Sequence, residues 1–175
     1  MPRFFAQADG ILFKQAVRLE LCGVALTHED RVMEIRPMTI DDYDEVFAMW
    51  QITSKRALSA ADGRMQIARY LKRNEGMSQV AVIDGKIVGT VLAGHDGRRG
   101  FIHHMAVLPA YRRRHIGHQL AQKAIDCIAA DDIDKTHIFC YQNNETGQNF
   151  WRDFGFEKRG DVFVFSYNHH KEPLS

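Results

Sequence analysis

Residues 101–128 commit the backbone to a strand, a sharp turn and a helix in immediate succession. Residues 101–108 read as a strand, and Pro109 ends it because proline cannot donate to a ladder. A basic turn follows, Arg112-Arg113-Arg114-His115-Ile116-Gly117. It leads directly into a helix whose apolar face is Leu120, Ala124, Ile125 and Ile128. Several backbone N–H groups at such a helix start have no intrahelical acceptor. A helix end of this kind beside a sheet is a standard way to hold a phosphate. Each charge-assisted bond there contributes on the order of 1.5–3 kcal/mol, and Gly117 lets the backbone approach closely. From the turn alone, a solvated arginine run ahead of an ordinary helix is an equal reading.

The surrounding pattern gives that unit its setting. Residues 33–36 read as a strand closed by Pro37. Thr39 is a helix N-cap, with Asp41 and Asp42 in a first turn that favours acids. Ile40, Tyr43, Val46, Phe47 and Trp50 then recur at helical spacing. A second helix is expected over about 60–72. Residues 80–83 and 87–93 read as strands joined by Asp84-Gly85, a type I′ hairpin signal. Further on come a strand at 137–141, a short helix at about 145–154, a Gly155 stop and a final aromatic strand at 162–167. The order β-α-α-β-β-β-α-β-α-β predicts an α/β fold with a mixed, mostly antiparallel sheet flanked by helices.

Composition excludes several classes. The 175 residues suit one domain with a short appendage, and 45% hydrophobic content is enough for a core. Lys+Arg 23 against Asp+Glu 22 leaves a net charge of +1, which removes the electrostatic ground for nucleic-acid or membrane-surface binding. Any anion site is therefore local. The three cysteines, Cys22, Cys127 and Cys140, match no zinc spacing and no disulfide set. Nine histidines form no ligand pattern, so no metal is expected. No run reaches the roughly 18 apolar residues of a membrane span, and 1–32 contain no clean signal peptide. A cytoplasmic location with reduced thiols is the expectation.

The motifs then resemble a known family. Met105-Ala106-Val107-Leu108-Pro109-Ala110-Tyr111-Arg112-Arg113-Arg114-His115-Ile116-Gly117 resembles the acetyl-CoA motif of the GNAT N-acetyltransferase superfamily, a strand ending in V-x-P and then (Q/R)-x-x-G-x-(G/A). Downstream, Asn144-Glu145-Thr146-Gly147, Phe150-Trp151 and Gly155-Phe156 resemble N-E-x-A…(F/L)-Y-x-x-x-G-F. The resemblance covers 33 to about 168. It implies a splayed, cofactor-binding strand pair and acetyl-CoA as cosubstrate. Arg112, Arg113, Arg114, His115, Ile116 and Gly117 would form the pyrophosphate loop, with His118 and Gln119 opening the helix. Met105, Ala106 and Val107 would lie along the pantetheine arm, as would Asn144, and the N–H at about Val107 would serve the oxyanion. Three positions depart from the pattern. His115 stands where the first loop glycine is usual, Gly147 replaces an alanine, and Trp151 replaces a tyrosine that protonates the leaving thiolate. A thiol of pKa about 8.5 leaves fairly well unassisted; Tyr141 and Tyr111 are weak substitute donors.

The implied reaction is direct acetyl transfer to a primary amine, on a small molecule or a peptide. An alkylamine with pKa about 10.4 is only about one part in a thousand to three thousand neutral at pH 7, so a base is useful. His103 and His104 lie just upstream on the cofactor strand, and simple alternation would point them to opposite faces. The arylalkylamine branch of the superfamily resembles this arrangement at His103, which is therefore favoured. A structural histidine is the competing reading for both. A CoA-binding regulatory module with little turnover is the alternative function, and monomer and homodimer both stay open. The expected domain is 33–170 with a tail at 171–175. For 1–32, an N-terminal arm competes with upstream sequence from an over-early start, and the second is favoured because Met33 opens the first strand.

Overall fold

The computed structural model describes residues 32–167 and 169. The expectations for 1–31 and for the last residues of the tail lie outside them. The chain divides into two compact units, Met1–Phe139 and Cys140–Ser175.

In the first unit, five strands lie in sequence order across one sheet. They are β1 (Met33–Pro37), β2 (Gln79–Ile83), β3 (Lys86–His95), β4 (Gly100–Val107) and β5 (Thr136–Ile138). The first three pairings are antiparallel and β4–β5 is parallel. β1 is an edge strand, so Pro37 ends it opposite Gln79 without removing an interior bond. Asp84 and Gly85 take φ of 51° and 73°, as the two central residues of a type I′ turn must.

Two helices, α1 (Tyr43–Thr53) and α2 (Arg64–Arg73), cover one face of the sheet. Val46, Met49 and Trp50 of α1 and Ile67 of α2 join Val80, Ile87, Leu92 and Ala106 in one buried cluster. The helix expected over 60–72 is divided. Residues Ala60–Asp62 form a 3-10 turn, and Gly63, in extended backbone, separates it from α2. The cause is local: the Asp62 carboxylate accepts the Ser59 N–H and completes a capping box of its own.

Helix α3 (Ile116–Ala130) packs on the opposite face, against β2, β3 and β4. Its buried residues are Ile116, Leu120, Ala121, Ala124 and Ile128. Ile125, expected on that face, is only partly buried and Ala121 takes the inward position. β3 comes close to this helix at Gly89, where a Cβ would lie 2.9 Å from Leu120 Cδ1.

The second unit holds α4 (Glu145–Phe154), ended by Gly155 at φ 109°. Trp151 is buried against Phe150, Phe154 and Phe156. Two strand expectations need correction. The strand expected at 137–141 ends at Ile138. The aromatic strand expected at 162–167 is absent from the sheet of the described residues, and Phe163 and Phe165 are 86% and 92% exposed. Alternating aromatic residues suit a strand, but a strand forms only where a ladder partner is available.

Candidate active site

The site is organised by a defect in β4. Val91 pairs with Met105 and Ala93 with Ile102, so Leu92 alone faces both His103 and His104. Two residues opposite one make a β-bulge. The bulge shifts the alternation by one residue, and both imidazoles stand on the face covered by α1 and α2. His103 meets the Tyr70 ring of α2 edge-on at 5.7 Å, and His104 lies 4.6 Å from the Trp50 ring of α1. The expectation that the two point to opposite faces is therefore wrong. Period-two reasoning fails where the ladder carries an extra residue.

The neighbours differ in environment. His103 is exposed to solvent but flanked by Tyr70 and Phe101. Loss of hydration lowers its pKa below the ordinary histidine value, and the adjacent His104 lowers it further, against a smaller opposing pull from Asp62. His103 is thus a neutral, accessible proton acceptor at pH 7. His104 is largely buried, and its Nε2 lies 2.7 Å from Asp62 Oδ1. Asp62 is itself 6% exposed. Sequence reasoning did not single it out. The only available signal was the S-x-x-D spacing of Ser59 and Asp62, which speaks of a cap rather than of a site. Phe101 continues the wall toward Phe139, its ring 6.3 Å away and nearly parallel.

The same bulge exposes backbone. The Gly100 N–H donates to Lys135 O on the β5 side, whereas the Leu108 N–H donates to Val88 O on the β3 side. By alternation, the polar groups of Met105 and Val107 face the β5 side and those of Ala106 face β3. β5 pairs only as far as Ile102, so β4 runs on past it with an open edge at Met105 and Val107. Arg112 Nε donates to Val107 O at 3.1 Å and ties the basic turn to that edge.

The turn ends in a concave run of N–H groups. Arg113 and His115 take left-handed backbone, at φ 60° and 59°, and His115 is the N-cap of α3 with no side-chain cap bond. A left-handed residue followed by a helical one converges successive N–H groups into an anion nest. Here His115, Ile116 and Gly117 form it, and His118 completes the first turn. Glycine is usual at the His115 position, and the left-handed φ is the reason. The arginine side chains are in part employed locally: Arg114 donates to Ala110 O at 3.2 Å and lies over the Tyr111 ring.

In the second unit, Asn144 is the N-cap of α4, and its Oδ1 accepts the Gly147 N–H at 3.0 Å. A Cβ on Gly147 would lie 2.5 Å from Asn144 Nδ2, so an alanine there would require the Asn144 side chain to shift. Trp151 serves the aromatic core of this unit. Burial pushes the Cys140 thiol up, so it is a poor nucleophile. Among the described residues no group of His, Cys, Asp and Glu is arranged to hold a metal, and no helix is long and apolar enough to cross a membrane.

An open sheet edge and a nest of N–H groups at a helix start suit an extended ligand with an anionic end, on a mixed α/β fold. The model of the acetyltransferase (GNAT) family matches residues 37–156, and the chain belongs to that family. An acetyltransferase of Sodalis glossinidius is 27% identical over 132 residues, spanning 75% of this chain and 92% of its own. Among solved structures, aminoglycoside N-acetyltransferase AAC(6')-Iy in complex with CoA superposes with a TM-score of 0.67 at 18% identity, covering 81% of this chain and 99% of that one. The aminoglycoside acetyltransferase meta-AAC0020, from a soil metagenomic sample and in complex with sisomicin, gives 0.66 at 15%, covering 79% and 97%. The protein is an N-acetyltransferase that uses acetyl-CoA as its cosubstrate.

Proposed function

We propose that the chain acetylates a primary amine by direct attack, with His103 as the general base. The observation that carries this reading is the bulge, which sets a neutral, accessible imidazole on the strand whose open edge would hold the thioester. The nest of His115, Ile116 and Gly117 suits the pyrophosphate, and the edge at Met105 and Val107 suits the pantetheine amides. The related structures with CoA and with an aminoglycoside support the choice of cosubstrate and of an amine acceptor.

The ammonium of the acceptor gives a proton to His103, and the freed electron pair attacks the acetyl carbonyl. The Val107 N–H, on the open edge, is placed to donate to the developing oxyanion, a contribution of about 2.7–4 kcal/mol in comparable sites. Collapse expels the thiolate while the new amide nitrogen loses its second proton to solvent, and the thiolate takes a proton from solvent; Trp151 has no acidic proton to give. Thiol release from acetyl-CoA with a panel of amines, peptides and aminoglycosides tests this. Turnover with one amine class is expected. Tight CoA binding without turnover on any of them would instead favour the regulatory module.

A further inference from the structure

The two carboxylate oxygens of Asp62 have separate duties. Oδ2 accepts the Ser59 N–H at 2.7 Å and lies 3.2 Å from Ser59 Oγ, which closes the 3-10 turn. Oδ1 is left for His104 Nε2. The residue is fixed a third time, because its backbone oxygen accepts the Tyr43 hydroxyl at 2.9 Å. The chain uses the same device once more at Asp42, which closes a capping box on Thr39 and takes Arg36 as its outside partner. There the partner is a permanent cation. At Asp62 it is an imidazole, and the consequence is chemical.

An ionised carboxylate only accepts hydrogen bonds. Nε2 of His104 must therefore carry the proton, and neutral His104 keeps its lone pair on Nδ1. The Trp50 ring, tilted 34° at 4.6 Å, holds the imidazole plane. We propose that Asp62 is a positioning residue for acetyl transfer: it locks His104 in the Nε2–H tautomer, so that Nδ1 is a second proton acceptor beside His103. This rests on the reading that an amine is deprotonated at this face. In the step, an ammonium N–H bond breaks, the proton joins a ring nitrogen, and the electron pair stays on the amine. Four titratable groups bear on His104: His103 from β4, Asp62 from the 3-10 turn, Tyr43 from α1 through Asp62, and Tyr70 from α2 through His103. The Asp62 carboxyl group at 2.7 Å from His104 Nε2 suits a cationic acceptor at this face.

Asp62→Asn reads the tautomer. The Ser59 N–H still requires an acceptor, so the new amide turns its oxygen to Ser59 and its NH2 to His104. Nε2 must then accept, and the ring proton moves to Nδ1. Nitrogen-15 NMR of the ring is expected to show protonated Nε2 in the wild type and protonated Nδ1 in the variant. The variant's kcat is expected to fall about tenfold, less than the roughly 10²–10⁴ of a sole general base because His103 remains, while KM for acetyl-CoA stays unchanged. In a His103→Gln background the same change is expected to remove most residual turnover. Protonated Nδ1 in the wild type would overturn the proposal, and this reading stands even if Asp62→Asn fails to fold. Unchanged kcat with a reversed tautomer would also overturn it. Absence of turnover on any amine by the wild type is a different failure, that of the amine reading, and the ring spectrum tells the two apart.

Discussion

His115 shows what the proposed cosubstrate loop asks of a single residue. A left-handed φ costs a residue with a side chain roughly 1–2 kcal/mol. Glycine removes that cost but adds about 0.5–1 kcal/mol of unfolded-chain entropy. His115→Gly is therefore expected to keep CoA affinity and to raise Tm slightly, as thermal unfolding with and without CoA would show. The basic turn and the helix start after it were legible in the sequence because they are contiguous. Asp62 was not, since its partner His104 lies 42 positions away and only folding brings them together. Nor was the shared face of the two histidines, because one unpaired residue opposite Leu92 reverses a parity that local pattern cannot report.

Element positions followed from period and punctuation, and element ends followed from contacts. The Asp84-Gly85 turn, the Pro109 stop and the Gly155 stop all fall as their residue chemistry dictates. The division of the second helix depends on Ser59 capping itself with Asp62, and the missing strand at 162–167 depends on a partner, so neither was visible in periodicity. Two joints test how the elements hold the site. A Cβ at Gly89 would meet Leu120 at 2.9 Å and Ile116 at 3.2 Å. Gly89→Ala is expected to cost about 1–3 kcal/mol by overpacking. It should also weaken CoA binding, because Ile116 is the first residue of α3; denaturant unfolding and CoA titration check both. The second joint is the pair Arg36–Asp42, with N···O of 2.7 Å, which ties β1 to the turn before α1. Arg36 holds the Asp42 carboxyl below its ordinary pKa. A depressed carboxylate pKa stabilises the fold above the unfolded value of about 3.9 and is lost as pH falls through the folded one. Asp42→Asn is expected to cost about 1 kcal/mol at pH 7, with Arg36 partly screened by solvent. In unfolding curves, the difference from wild type should begin to shrink only below about pH 4, the unfolded carboxylate value, and vanish once pH has fallen past the lower folded pKa.

On the scale of the whole molecule, one irregularity in one strand would serve both halves of the proposed reaction. It turns two imidazoles to the face under α1 and α2, and it turns the Met105 and Val107 backbone to the edge that β5 leaves open. On the proposed reading, base and thioester site are thereby set on the same strand. The near-neutral charge of the chain conceals this arrangement, with a nest of N–H groups behind three arginines and a buried carboxylate behind two histidines. The most direct measurement is the pH dependence of kcat/KM for a primary amine in wild type and His103→Ala. His103 has a pKa below its ordinary 6.5, so the wild type keeps its base form at neutral pH and loses it only in acid. The variant is expected to be slower below pH 8 and to recover partly at high pH, as the amine itself deprotonates toward its own pKa of about 10.4. Superimposable profiles would remove His103 from the reaction and contradict the account.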